Sequence, residues 1–361
     1  MSATAALALV AAHPALAQSD ETLSVVATFS IIGDMTQRIG GDAVAVTTLV
    51  GPDGDAHVYQ PTPADARAVA SSDVLIVNGL EFEGWLDRLA EASSFSGDMV
   101  VATAGITPIA FDEGHDDHDD HEDHDDHGDH DKEEGHDDHA EGEDHDHSEE
   151  KHAEGEEHDH GEEEHADGGH DDHGDEHGDH HGHNHGAFDP HAWQSIDNAV
   201  IYADNITAAL AKASPDNAAL FYQNRAAYVA ELEALGTEIA ALMAGLPEDS
   251  RTVVTSHDAF GYFAQAYDLR FEAPQGLSTE SEPSAADVAG MITQIRDEGI
   301  KAVFVESITD NRLLEQIASE TGATIGGTLY SDALSGPEGP AGTYVDMMRH
   351  NAATLAAALG G

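Results

Sequence analysis

The sequence predicts an α/β fold made of two lobes with parallel sheets, joined by one long helix. Three observations carry this expectation. Short β-rich runs alternate with amphipathic helical stretches in both the first and the last third of the chain. Between them lies one helical pattern of about 30 residues, roughly 45 Å of helix, longer than most helices inside a small domain. The chain has 361 residues, enough for two domains of ordinary size.

The elements follow in order. Residues 1–17 read as a removed signal peptide: Ala5 to Ala12 is a short apolar run, and Ala15-Leu16-Ala17 fits a small-residue cleavage site. The run is too short to span a bilayer, and no other stretch is apolar enough for a membrane helix, so export to the periplasm without stable membrane insertion is expected. The first lobe is assigned to 18–215. Its strands are expected at Leu23–Phe29, Val44–Val50, Val74–Asn78 and Met99–Thr103, rich in Val, Ile and Leu and bounded by Gly, Asp or Ser. Ile31–Ile39, Pro63–Ala70 and Ile196–Ala213 carry helical spacing, the last closed by Ser214-Pro215.

The connecting helix is assigned to 216–246, with Leu220, Tyr228, Leu232, Leu235, Ile239 and Leu242 as its apolar positions. The second lobe, 247–361, repeats the alternation. Thr252–Ser256, Leu269–Ala273, Ala302–Glu306 and Thr324–Leu329 are its expected strands, and Asp346–Leu359 its closing helix.

Residues 112–186 interrupt the first lobe with a tract of almost nothing but His, Asp, Glu and Gly. It holds 21 of the 26 histidines. His115, His118, His121, His124, His127 and His130 recur at every third position, a period that suits an extended chain better than an α-helix. With few apolar residues and high like charge the tract is expected to be a disordered loop, tolerable because closure entropy grows only logarithmically with length. Imidazole and carboxylate are metal ligands, so the tract points to a transition metal without saying what is done with it.

The formal charge of −59 disfavours nucleic acid and anionic membrane surfaces as partners and favours cations. The chain has no cysteine, so disulfides and thiolate zinc sites are excluded. Metal ligation must use His with Asp or Glu. Four candidates stand outside the tract. His57 lies in Gly51-Pro-Asp-Gly-Asp-Ala-His57, after an expected strand, and His191 in Phe188-Asp-Pro-His191-Ala-Trp193, entering a helix. His257 lies in Thr255-Ser-His257-Asp-Ala-Phe-Gly, and Asp332 in Leu329-Tyr-Ser-Asp332-Ala-Leu-Ser. Three of the four follow the carboxyl end of an expected parallel strand, where open α/β sheets place ligand sites. Two come from each lobe, so a shared site must lie in the cleft between lobes. Tyr59, Trp193 and Tyr262 are expected to pack around it, Asp258 and Glu306 could orient an imidazole, and His13 and His350 are read as solvated.

These four motifs, with Thr28-Phe-Ser-Ile-Ile-Gly-Asp34 near the start, resemble those of the metal-binding receptors of bacterial ABC transporters for zinc and manganese, the ZnuA/TroA-type solute-binding proteins. The resemblance covers about Leu23 to Leu359. It implies two (β/α) sandwich-type lobes bridged by a rigid helix, a monomer, no enzymatic activity, and delivery of the ion to a membrane permease, with a periplasmic zinc chaperone as a further partner. It carries the ligand roles to His57, His191, His257 and Asp332. Manganese receptors of the family usually have Glu at the third position. Three imidazoles and one carboxylate suit tetrahedral Zn²⁺ better than the harder Mn²⁺. Some zinc receptors complete the site with water or Glu, which leaves the fourth place open between Asp332 and a water. The expected function is therefore a high-affinity periplasmic zinc receptor. The alternatives are a manganese or other divalent-metal receptor, and a zinc buffer acting mainly through the tract. A catalytic zinc site is disfavoured because four protein ligands leave no open position for activated water and no His-Glu-x-x-His motif occurs.

Overall fold

The computed structural model describes residues 22–111 and 187–360; the signal segment, His13 and the tract 112–186 lie outside the described residues. The first lobe has strands β1 (Leu23–Phe29), β2 (Val44–Val50), β3 (Val74–Val77) and β4 (Asp98–Val101), in the order β2-β1-β3-β4, all parallel. The second has β5 (Thr252–Val254), β6 (Arg270–Glu272), β7 (Ala302–Glu306) and β8 (Thr324–Leu329), in the order β6-β5-β7-β8, again parallel. The two lobes thus repeat one plan, in which strand order reverses beside the first strand of each.

Burial follows from that plan. The central strands β1, β3 and β7 are buried almost throughout, because helices cover both faces of a parallel sheet. Edge strand β4 alternates half-buried and exposed residues. Helices α1 (Ser30–Gly40), α2 (Pro63–Ala70) and α3 (Leu86–Ser93) belong to the first lobe; α6 (Gly261–Tyr267), α7 (Ala285–Glu298) and α8 (Arg312–Thr321) to the second. Local chemistry sets several starts. Thr62 and Asp65 form a capping box ahead of Pro63, and Ser284 and Asp287 do the same for α7. In β8, a Cβ at Gly326 would meet the Phe304 ring at 2.5 Å and Ala358 Cβ at 2.9 Å, so only glycine lets the closing helix α9 (Tyr344–Leu359) lie this close to the sheet.

Helix α4 (Ile196–Ala213), capped by Ser195, runs into α5 (Ala218–Ala244), the long helix, about 40 Å at 1.5 Å per residue. Its buried stripe is Phe221, Tyr228, Leu232, Leu235, Ile239 and Met243. The stripe expected from sequence differs at both ends: Leu220 is half-buried and Leu242 is 36% exposed. Adjacent residues point about 100° apart around a helix, and the packed face belongs to Phe221 and Met243. Helix α5 packs on α1, α4 and α9, and one apolar core runs from β1 through these helices to Phe304 and Leu329 of the second lobe. Among the described residues no helix is long and apolar enough to cross a membrane.

Candidate metal centre

His57 lies beyond the carboxyl end of β2, His257 beyond β5 and Asp332 beyond β8. His191 stands immediately before a short 3-10 helix, Ala192–Gln194, that leads into α4. These four residues converge: one donor atom from each lies within 4.8 Å of every other. Oδ2 of Asp332 lies 3.1 Å from Nε2 of His57 and 3.1 Å from Nε2 of His257, and Oδ1 lies 3.6 Å from Nε2 of His191. A tetrahedron with metal–ligand bonds of about 2.0–2.1 Å has edges of about 3.3 Å, and the three Asp332–imidazole spacings bracket that length.

Burial makes the cluster chemically demanding. His191, His257 and Asp332 are fully buried and His57 is 7% exposed. Nε2 of His191 and Oδ1 of Asp332 are buried without a hydrogen bond, a costly state that a shared cation would relieve. Burial works against the imidazolium of His257, but Glu306 and Asp332 overcome it and hold its pKa well above the usual 6.5. Burial likewise opposes the Asp332 carboxylate, yet His257 and His191 outweigh it and hold its pKa well below 3.8. The site is built to keep a negative oxygen opposite positive charge.

Two further carboxylates aim the imidazoles. Oδ1 of Asp189 accepts from the backbone N–H of His191 at 2.9 Å and lies 2.8 Å from its Nδ1. Oε1 of Glu306, at the end of β7, accepts from the backbone N–H groups of Ser256 and His257 at 2.8 and 2.9 Å. Its Oε2 sits 2.7 Å from Nδ1 of His257, close but off the line of the N–H. Each contact leaves the Nε2 nitrogen facing Asp332. Asp258 is half-buried, and burial raises its carboxyl pKa, but it makes no hydrogen bond to either ring.

The surrounding wall is aromatic. The Phe82 ring meets His57 edge-on at 4.9 Å, and Trp193 meets Phe82 and His191 at 4.8 and 5.4 Å. Phe82 is presented by a tight loop in which Gly79, Leu80 and Glu81 have φ of 91°, 53° and 62°. The buried carboxylate of Glu83 closes that loop by accepting from the backbone N–H groups of Asn78 and Gly79. Tyr262 donates to the Asp189 carbonyl at 2.9 Å, whereas Tyr59 meets Trp85 edge-on at 5.2 Å. Across the lobes, Trp193 Nε1 and Gln194 Nε2 both donate to the Ser331 carbonyl, at 2.9 and 2.8 Å, next to Asp332.

All four residues singled out from sequence are brought together. Asp332 does not cap a helix: the next one, α9, begins at Tyr344 and is capped by Thr343. His350, expected to be solvated, is instead half-buried: its Nε2 is 3.0 Å from the Thr328 carbonyl and its ring packs on Tyr330. Asp189 was missed as an orienting carboxylate, although its place two residues before His191 was visible. Asp55 and Glu83 carried no sequence signal of their own. The tract's described flanks pair antiparallel, with Asp189 N–H donating to the Ile109 carbonyl at 2.9 Å and Phe111 N–H to the Ala187 carbonyl at 3.1 Å.

Residues 25–358 match the family described as the zinc-uptake complex component A, periplasmic. The chain is 29% identical over 336 residues to the iron-binding protein YfeA of Yersinia pestis, covering 93% of this chain and 86% of that protein. It is 30% identical over 349 residues to the manganese-binding lipoprotein MntA of Bacillus subtilis, covering 94% and 91%. Among solved structures, a manganese-bound variant of a periplasmic metal-binding protein from candidatus Liberibacter asiaticus matches with a TM-score of 0.70 and 28% identity, over 94% of this chain and all of that one. The periplasmic zinc-binding protein TroA of Treponema pallidum shares the fold, with a TM-score of 0.72 at 24% identity over the same shares.

Proposed function

This chain belongs to the family of the periplasmic zinc-uptake complex component A, and from that premise we propose that it is the receptor of a metal ABC importer whose cargo is Zn²⁺. The observation that carries the zinc reading is the donor set: three imidazoles and one carboxylate whose donor atoms lie within 4.8 Å of one another. His57, His191, His257 and Asp332 are the proposed ligands, with Asp332 rather than a water in the fourth place. A full set of protein donors suits capture and delivery and leaves no vacant position for activated water. The protein is a receptor, not an enzyme. It acts outside the cytoplasmic membrane, and we place it in the periplasm, handing the ion to a membrane permease.

Manganese is the second reading, supported by relatives named for manganese. Its weak point is His257, because Mn²⁺ prefers more oxygen donors. Anomalous diffraction at the zinc and manganese edges, on protein purified without added metal, tests the choice. Zinc density bounded by the four residues is expected; manganese at that point would replace zinc as the cargo. The tract 112–186 is read as an accessory that raises the local metal concentration. A variant lacking 113–186 should keep one tight site but capture zinc more slowly; loss of all tight binding would move the receptor role to the tract.

A further inference from the structure

The three histidines are held in different ways. His191 and His257 each have a carboxylate at Nδ1, from Asp189 and Glu306. His57 has instead an apolar ring contact with Phe82, which sets no tautomer. Beyond Asp332, its polar hold is through the backbone: its N–H donates to Oδ1 of Asp55 at 2.9 Å. The other oxygen of Asp55 is committed across the cleft, where Oδ2 accepts from the Thr279 hydroxyl at 2.6 Å. Thr279 belongs to the segment between β6 and α7, in the opposite lobe. One carboxylate thus holds a candidate ligand with one oxygen and the facing lobe with the other.

A second strap lies two residues earlier. Asp53 N–H donates to the Leu334 carbonyl at 2.8 Å, and Asp53 Oδ2 accepts from Gly336 N–H at 3.3 Å. Asp53 has φ of 56°, in the left-handed region that aspartate adopts more readily than most non-glycine residues. The His57 loop is therefore folded against the second lobe by contacts that exist only while the lobes are together. Exposure points the same way. His57 alone of the four residues reaches a cleft, of about 600 Å³, which Glu81, Phe82, Ser278 and Glu280 also line. A second cleft of about 510 Å³ is lined by Asp55, Val58, Thr279 and Glu282. The Asp55–Thr279 contact lines the second, and Ser278 and Glu280, on either side of Thr279, line the first.

We propose that Asp55 is a positioning residue for metal exchange: bridged to Thr279, it keeps His57 in the site, and when that bridge breaks His57 withdraws first and the ion passes through the His57 cleft. This rests on reading the four-residue cluster as the metal site. A charge-assisted hydrogen bond that must break before release can slow release by about tenfold.

The test uses the full chain with Thr279→Val, which removes the hydroxyl but keeps the Asp55–His57 bond, and Thr279→Ser, which restores the donor. Two quantities are measured: release of Zn²⁺ to a chelating dye by stopped flow, and amide hydrogen exchange of residues 51–58 in metal-free protein. Thr279→Val should release zinc about tenfold faster and exchange faster in this loop, with Thr279→Ser near the unmodified protein in both. Unchanged release and exchange in Thr279→Val, or equal acceleration in Thr279→Ser, overturns the bridge. His57→Ala separates this from failure of the premise. If it leaves tight zinc binding intact, the metal-site reading falls and the exchange role falls with it. If it weakens zinc while Thr279→Val changes neither readout, the site stands and the bridge is overturned.

Discussion

In a Glu306→Gln variant the side chain keeps its shape but loses one of its two acceptors. Oε1 accepts from two backbone N–H groups, so the amide must keep its oxygen there or leave those donors unpaired in the core. The amide NH₂ then faces Nδ1 of His257, 2.7 Å away in the present geometry. Nδ1 becomes an acceptor and its proton moves to Nε2, the nitrogen that faces Asp332 and should bind the ion. Asp189→Asn is the matched control. There a single oxygen, Oδ1, serves both the backbone N–H and Nδ1 of His191, so an amide oxygen preserves both contacts and the tautomer. Each variant loses one negative charge; only Glu306→Gln inverts a ring. Loss of an orienting partner costs about 10–100-fold in metal affinity, or about 1.4–2.7 kcal/mol, and Glu306→Gln should bind zinc about tenfold more weakly than Asp189→Asn. Competition against a chelator of known affinity measures both, with thermal melts to establish that each variant is folded. Equal weakening, or a folded Glu306→Gln within about twofold of the unmodified protein, would refute the tautomer argument.

Three other outcomes follow from the same geometry. His257→Glu gives two imidazoles and two carboxylates, and the zinc-to-manganese affinity ratio should fall by about tenfold or more in paired titrations; an unchanged ratio would remove His257 as the discriminating ligand. In metal-free protein the raised pKa of His257 contributes stability that is complete below about 6.5 and lost as pH rises through its folded value, while the lowered pKa of Asp332 contributes above about 3.8 and is lost as pH falls. Zinc must displace the His257 proton, so the zinc-induced rise in Tm should grow between pH 6 and pH 8, and a rise independent of pH would contradict this. Tyr344 donates its buried hydroxyl to the Trp193 carbonyl at 2.6 Å, and Tyr344→Phe should cost about 1–3 kcal/mol in chemical unfolding, because that carbonyl is left unpaired.

Periodicity and punctuation in the sequence sufficed for the two parallel sheets. Strands β1, β2, β7 and β8 have the expected limits. The long helix was legible from its spacing, but its packed face was not. Whether Leu220 or Phe221 turns inward depends on α1, α4 and α9, which lie far away in the chain.

The site divides in the same way. The four candidate donors were legible because each stands in a short motif after a strand or before a helix. Their support was not. The Glu306–His257 contact spans 49 residues, Asp55–Thr279 spans 224, and Asp53–Gly336 spans 283. The sequence by itself determined which residues could meet an ion. Only the tertiary structure decided which nitrogen of each ring faces Asp332 and which of the four residues reaches a cleft, since both depend on distant segments that share the same few ångströms.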